Sequence, residues 1–388
     1  VQRARAEGLS VESATVSLHP EVDAEAFGEK LTAMYDRDDI DSVIVNFTPS
    51  AGAEESEIAA VLAETAARSS KTTVACFLGI LGVQDELTSF LTDSDGKRVT
   101  HTVPSYVGPE DAVWALARAT DYARWRSADH GNFLEIEDLD DKGVRDIVDA
   151  ALTDARPGCP VVLERDQARA LLDCYGIETM PYITAASVDE GLAAAETLGY
   201  PVALKAVTKA LRHRMELGGV RLNIDTPDEL VEDFTALQTL IESLGTDEEP
   251  LVDVQAMAPP GVPCVIRAGE DRLLGPMLSF SLAGDTTELL GDVEHRVSPL
   301  TDKDAGEMIR AIKSSPRLFG YRGLPPVNID PLIDVLERLS VLVERHPQIL
   351  DVEMHPIVAT ETDSYILSVR ISLLADATRI DTTRRLLS

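Results

Sequence analysis

A run of mainly apolar residues that ends on one lysine, Gly199-Tyr200-Pro201-Val202-Ala203-Leu204-Lys205, is followed by a polar stretch that closes on a glycine pair, Gly218-Gly219. These residue types suit phosphate, because lysine supplies charge and glycine lets backbone N–H groups approach the oxygens. A strand-edge lysine whose stem covers apolar surface, followed by a glycine turn in a hairpin, accounts for the same letters equally well. The other reactive residues are dispersed. His19, His101, His130 and His346 stand apart from each other and from any Ser or Cys in a triad-like setting, and read as surface or capping residues. Cys76, Cys159, Cys174 and Cys264 show no paired spacing for zinc or for a disulfide framework, so reduced, mostly buried thiols are expected. No Walker A, zinc or dinucleotide-binding motif occurs.

The elements that must position Lys205 follow from hydrophobic periodicity. Up to residue 128, helical patterns at 25–35 and 54–68 alternate with short β-branched runs at 42–47 and 73–78, and a further βα unit fits 101–107 followed by 109–126. Such alternation indicates a parallel sheet covered on both faces. We therefore expect an α/β chain that opens with a small flavodoxin-like parallel-sheet domain over 1–128. Residues 127–141 carry dense acidic charge and little apolar period, and 129–147 reads as an acidic linker. From residue 142 onward, helices at 142–155, 164–175 and 188–198 lead to strands at 201–205 and 219–224 and a helix at 227–244. Strands at 251–257, 263–268, 277–282 and 365–371 and helices at 302–314 and 329–345 complete the chain. This order suits a two-lobed α+β nucleotide-binding domain over 148–388, with lobes at 148–248 and 249–388.

With 388 residues and 44% hydrophobic content, each part is long enough to bury a core. A formal net charge of −32 argues against nucleic-acid or anionic-membrane partners, both of which require a basic surface. No apolar stretch has the length needed to cross a bilayer, so a cytoplasmic location is expected. The chain opens on Val1, which leads us to expect a preceding segment.

Several motifs occur in one linked order. They are Leu171-Leu172-Asp173-Cys174-Tyr175-Gly176-Ile177, Gly199 to Lys205, His213-Arg214-Met215-Glu216-Leu217-Gly218-Gly219-Val220, Pro259-Pro260-Gly261, Glu288-Leu289-Leu290-Gly291-Asp292-Val293, Arg296, Gly320-Tyr321-Arg322-Gly323 and Glu353-Met354-His355-Pro356. This order is similar to the ATP-grasp half of the nucleoside-diphosphate-forming (ADP-forming) acyl-CoA synthetases. Asp41 to Pro49 and the helix before Trp125 resemble that family's ligase domain, so the likeness covers nearly the whole chain.

The resemblance implies a reaction in which a carboxylate is activated as an acyl phosphate, passed to CoA, and its phosphate carried to ADP on phosphohistidines. It assigns phosphate carriage to His213 and nucleotide binding to Lys205, Arg214, Gly218, Gly219, Glu288, Asp292 and Arg296. Metal binding falls to Glu353 and His355. ATP or ADP and Mg²⁺ would be the ligands here, and CoA would act through domains absent from this chain. The expected partners are a small carboxylate or acyl-CoA metabolite and upstream domains of the same protein, and a homo-oligomer is expected.

Four departures stand out. Arg214 replaces a lysine, Pro263 replaces a glutamate, His355 replaces an amide and Ser368 replaces a carboxylate of the family pattern. Mg²⁺ prefers oxygen ligands, so the last two weaken the metal site. A second reading follows, in which the region is a catalytically degenerate, ligand-sensing domain like those fused to lysine acetyltransferases in bacteria.

Overall fold

The structure is a computed structural model, and it describes residues 15–19, 21–48, 55–78, 85–92, 96–208, 218–245, 249–271 and 273–375. Two compact units meet at the Asp129–His130 boundary.

In the first unit, helix α1 (Ala24–Tyr35) precedes strand β1 (Ser42–Phe47), helix α2 (Glu55–Ala67) and strand β2 (Thr72–Phe77). β1 and β2 pair in parallel, Val45 opposite Ala75, and the short β5 (Ser105–Tyr106) extends the sheet beyond β2 before helix α3 (Pro109–Ser127). β2 is buried from Thr73 to Phe77, the near-continuous apolar pattern of a parallel strand covered on both faces. Phe27 and Leu31 of α1 and Ile58 and Leu62 of α2 pack with Ala75 and Phe77 in one core. One feature differs from expectation. Residues 88–102 form a separate antiparallel hairpin, β3 (Thr88–Thr92) with β4 (Arg98–Thr102), so His101 belongs to the hairpin and not to the parallel sheet.

The second unit begins inside the stretch expected as a linker. Helix α4 (Asp141–Leu152) starts there because Asp140 caps it, its carboxylate accepting from the Gly143 amide at 2.8 Å. Val144 and Val148 of α4 are buried in the core of this unit, so the end of the 129–147 stretch, from Asp141, belongs to the helix expected at 142–155. The acids that read as a linker include a cap and a first helical turn, where negative charge is favourable. After β6 (Val161–Val162) and helix α5 (Arg165–Asp173), a smaller lobe forms from β7 (Tyr182–Ala185), α6 (Val188–Leu198), β8 (Val202–Val207), β9 (Val220–Ile224), α7 (Pro227–Ser243) and β10 (Leu251–Ala256). Its sheet runs β7-β10-β8-β9. α6 and α7 pack on one face of it, burying Val202, Leu204, Val252, Val254 and Phe234.

The larger lobe comprises β11 (Val262–Asp271), β12 (Gly275–Leu282), α8 (Asp285–Leu290), β13 (Glu294–Val297), α9 (Asp304–Ala311), α10 (Asp330–Arg345), β14 (Ile349–Ala359), β15 (Ser364–Ile366) and β16 (Val369–Leu373). Its sheet runs β13-β12-β11-β14-β16-β6, with β15 paired to β14. α9 and α10 pack on this sheet and share a core with its Ile266, Phe280, Met354 and Ile371.

The lobes therefore do not divide at 248/249. β10 belongs to the smaller sheet, between β7 and β8, while α4, β6 and α5 belong to the larger lobe. The strand expected over 365–371 is interrupted at Leu367-Ser368. His346, expected at the surface or in a cap, does terminate α10 but is 4% exposed. Its Nε2 lies 3.1 Å from the Tyr175 hydroxyl and 3.3 Å from Asp141 Oδ1. Burial lowers its pKa, against the opposing pull of Asp141. Of the cysteines, Cys76 and Cys264 are buried, Cys174 is partly so and Cys159 is exposed. Among the described residues no helix is long and apolar enough to cross a membrane.

Candidate nucleotide-binding groove

Strand alternation sends the apolar residues of the smaller sheet toward α6 and α7 and leaves a polar row on its other face. Register places Lys205 of β8 opposite Asp253 of β10, and Asp253 opposite Thr184 of β7. Asp253 is 1% exposed and carries an ion pair with Arg165 and a 2.6 Å hydrogen bond from the Thr184 hydroxyl. A buried carboxylate needs such partners, because desolvation penalises an isolated charge heavily. Arg165 also lies over the Tyr182 ring at 4.3 Å, and Tyr182 donates to Asp166 at 2.6 Å.

Lys205 Nζ donates to the Leu367 carbonyl at 3.0 Å, and Gln255 Nε2 donates to the same oxygen at 3.2 Å. The interruption between β15 and β16 matters here: it frees the Leu367 carbonyl from a ladder, so two side chains of the smaller lobe reach a backbone atom of the larger one. Burial, with a smaller contribution from Arg165, pushes the Lys205 ammonium down to about 8. A nearby anion would favour the charged form that burial disfavours. Beside it opens a small pocket whose walls include Arg165, Met180, Tyr182 and Gln255 on one side and Leu367 and Ser368 on the other. Thr179, also on its wall, has a buried hydroxyl oxygen with no partner among the described residues. Basic, apolar and hydroxyl-bearing side chains thus share one small pocket.

The larger sheet carries a matching row on the face opposite α9 and α10. Register aligns His295, Ser279, Arg267, Glu353 and Arg370 across β13, β12, β11, β14 and β16. Glu353 Oε1 accepts from Arg267 Nε at 3.1 Å and Nη2 at 2.9 Å, and its Oε2 lies 3.4 Å from Arg370 Nη2. Burial pulls the Glu353 carboxyl upward, but Arg267 and then Arg370 outweigh it and hold its pKa below the ordinary value.

The residues singled out in the sequence fall differently from one another. His213 and Arg214 lie outside the described residues. Gly218 takes a left-handed backbone (φ 72°), and Gly219 is buried with its carbonyl accepting from the Ala206 amide at 2.9 Å. Glu288, Asp292 and Arg296, expected as one pocket cluster, have separate engagements. Glu288 is exposed on α8. Asp292 accepts from the amides of Lys313 and Ser314 at 2.7 and 2.8 Å and from the Ser314 hydroxyl. Burial raises its carboxyl, but these bonds outweigh it and lower the pKa, as suits a brace for the turn after α9. Arg296 lies opposite Leu278, a core residue, and pairs with Glu294 on its own strand. Its side chain is thus on the helix-covered face, and the open face at this strand carries His295. The glycine of Pro259-Pro260-Gly261 has a packing cause, since a Cβ there would lie 2.2 Å from the Ala359 carbonyl oxygen.

The metal assignment to Glu353 and His355 does not fit the residues present. Both Glu353 oxygens are engaged by guanidinium groups, and His355 is an exposed imidazole whose backbone amide donates to the Ser368 carbonyl at 3.1 Å. Mg²⁺ wants hard oxygen ligands in near-octahedral geometry. Among the described residues no three His, Cys, Asp or Glu side chains come together to hold a metal ion.

A family model described as an ATP-grasp domain matches residues 156–373, more than half of the chain. The chain belongs to the ATP-grasp family. It is 29% identical over 358 residues to the ADP-forming acetate–CoA ligase I of Archaeoglobus fulgidus, covering 92% of this chain and 50% of that protein. It is 33% identical to the β subunit of the ADP-forming acetate–CoA ligase I of Pyrococcus furiosus, covering 59% of this chain and 97% of the subunit. The ATP-grasp chain thus spans about half the length of the full-length relative. Among solved structures, an acetyl-coenzyme A synthetase 1 of Ca. Korarchaeum cryptofilum, in complex with coenzyme A, Ca-AMPCP and HgCl⁺, superposes with a TM-score of 0.55 at 30% identity over 59% of this chain and 99% of that one. The same enzyme has been solved with Mg-AMPPCP and its phosphohistidine segment pointing towards the nucleotide site, with a TM-score of 0.50. The two-lobed α+β architecture expected from the sequence is the one found.

Proposed function

We propose that the ATP-grasp unit binds ATP or ADP in the groove between its two sheets and serves as the nucleotide-handling part of an ADP-forming acyl-CoA synthetase. The observation that carries this reading is Lys205, a half-buried lysine of depressed basicity that bridges the two lobes beside a pocket with an unmet hydroxyl. In the reaction so read, a carboxylate, CoA and ATP give acyl-CoA, ADP and phosphate.

Each residue then has a task. Lys205 and Arg165 hold the phosphates, and the pocket walls at Met180, Tyr182 and Leu367 take the apolar part of the nucleotide. Gly218, in a left-handed backbone conformation, and Gly219 let the chain approach phosphate oxygens closely. His213 accepts the phosphoryl group, since a neutral imidazole nitrogen is a competent nucleophile. The length of the relatives supports placing CoA and acyl handling on segments outside this chain, in the manner of an α subunit beside a β subunit.

The test is transfer of label from γ-labelled ATP to the protein, followed by acid and base treatment. The reading expects an acid-labile, base-stable phosphoryl group that disappears in His213→Ala. Nucleotide binding without any such label contradicts the catalytic part and leaves a nucleotide-sensing domain.

A further inference from the structure

Helix α3 of the first unit leaves most of its surface in solvent. Its inner side is held by a small cluster in which Ala112 and Leu116 pack with Val74, Cys76, Ile44 and Tyr106. Beyond Thr120 every residue to Ser127 is exposed. The outer side carries both tryptophans of the chain, Trp114 at 66% and Trp125 at 45% exposure, with Tyr122 at 57%. Tyr122 and Trp125 stack, their ring centroids 5.8 Å apart. Tryptophan, tyrosine and arginine dominate the binding energy of protein interfaces. Three large rings in water on one helix face are apolar surface that a partner would bury.

We propose that this face docks on the same face of a second copy of the chain, the two α3 helices running antiparallel about a two-fold axis.

Spacing points to that occupant. Residues 114, 118, 121 and 125 follow one another at intervals of four, three and four, so they form one stripe along the helix. The stripe reads Trp-Arg-Asp-Trp. Laid against a reversed copy of itself, it sets Trp114 against Trp125 of the second copy and Arg118 against Asp121 of the second copy. A two-fold contact needs such self-complementarity, because every pair in it occurs twice.

Charge points the same way. Glu110 and Asp111 lie in the first turn of α3, and Arg124 and Arg126 in the last. An antiparallel pair brings the acidic end of each helix to the basic end of the other, with opposed macrodipoles. Asp121 lies 4.0 Å from Arg124 of its own helix, but both are exposed, and so weak a pair yields readily to a second partner. With three acidic and three basic residues, α3 is neutral in a chain whose formal charge is −32. Two chains so acidic repel each other, and a neutral, aromatic face is where that repulsion is least.

Sedimentation of the whole chain from about 1 to about 100 μM, with tryptophan emission recorded across the series, tests the proposal. Two helices of this length make a contact at the small end of stable interfaces, so dimerisation in the micromolar range is expected. Emission is expected to move to shorter wavelength as the dimer forms, because both tryptophans leave water together. Arg118→Glu sets a glutamate against Asp121, and Asp121→Arg sets an arginine against Arg118. Each is expected to weaken dimerisation by about tenfold or more. Both positions are exposed, so neither substitution disturbs the core. An equal mixture of the two variants regains both opposite-charge pairs in a heterodimer, and is expected to recover the native affinity to within about threefold. A chain that stays monomeric to about 100 μM overturns the proposal and leaves the face to a different partner. Dimers that ignore both substitutions, or variants that fail to associate on mixing, place the contact elsewhere and overturn it as well.

Discussion

Lys205 sits where chemistry and stability oppose each other. Its pKa near 8, against an ordinary value of 10.5, means that burial disfavours the charge it needs for phosphate. Between about pH 8 and 10.5 the unfolded chain carries a proton that the folded chain has released, so stability contributed by this site rises with pH across that window. Urea midpoints of the native chain and of Lys205→Met, measured at pH 8 and pH 10, are expected to shift in favour of the native chain at the higher pH. Equal shifts would show that Lys205 keeps its ordinary basicity. Nucleotide affinity has the opposite sign, falling as pH rises through about 8, because the phosphates favour the protonated amine; a titration series of ADP across that range reads it directly. Lys205 was visible in the sequence because one lysine closing an apolar run, with a glycine pair after the polar stretch that follows, is a local pattern. Arg165, Asp253, Gln255 and Arg267 were not, because their roles arise from register. Arg267 and Glu353 are 86 positions apart, and nothing in either neighbourhood reveals that they face each other.

At the level of elements, the groove depends on edges and breaks. The strand interruption at Leu367-Ser368 gives Lys205 and Gln255 their common acceptor, and the turn at Gly261 sets the start of β11 against the end of β14. Gly261→Ala places a methyl group 2.2 Å from a backbone oxygen that cannot rotate away. It is expected to cost about 1–3 kcal/mol of stability, the usual scale of overpacking, and a chemical-denaturation midpoint checks it. An unchanged midpoint would mean that the turn relaxes freely. Helices and buried strands were legible from periodicity, since α10 and β2 repeat apolar residues at the spacing their structures require. The hairpin at 88–102 and the assignment of β10 to the smaller sheet were not. Short polar strands carry little periodic signal, and strand pairing is a long-range property.

Across the whole chain, strong acidity coexists with a groove of paired charges. The formal charge of −32 repels anions at a distance, while in the second unit Arg165 pairs with Asp253, Arg267 and Arg370 pair with Glu353, and Lys205 donates to the Leu367 carbonyl. A nucleotide site in such a molecule must draw its affinity from short-range contacts, which are screened by salt far less than long-range fields. The resemblance in linked motifs showed the ATP-grasp architecture from the sequence, whereas the placing of Arg267 and Arg370 on either side of Glu353 became visible through the register of β11, β14 and β16. The most direct measurement is calorimetric titration of ATP and ADP into the native chain and into Lys205→Ala. Saturable binding in the native chain, weakened about tenfold or more in the variant, is the predicted result. Heats that are absent in the native chain, or unchanged by the substitution, would contradict a nucleotide site built around Lys205.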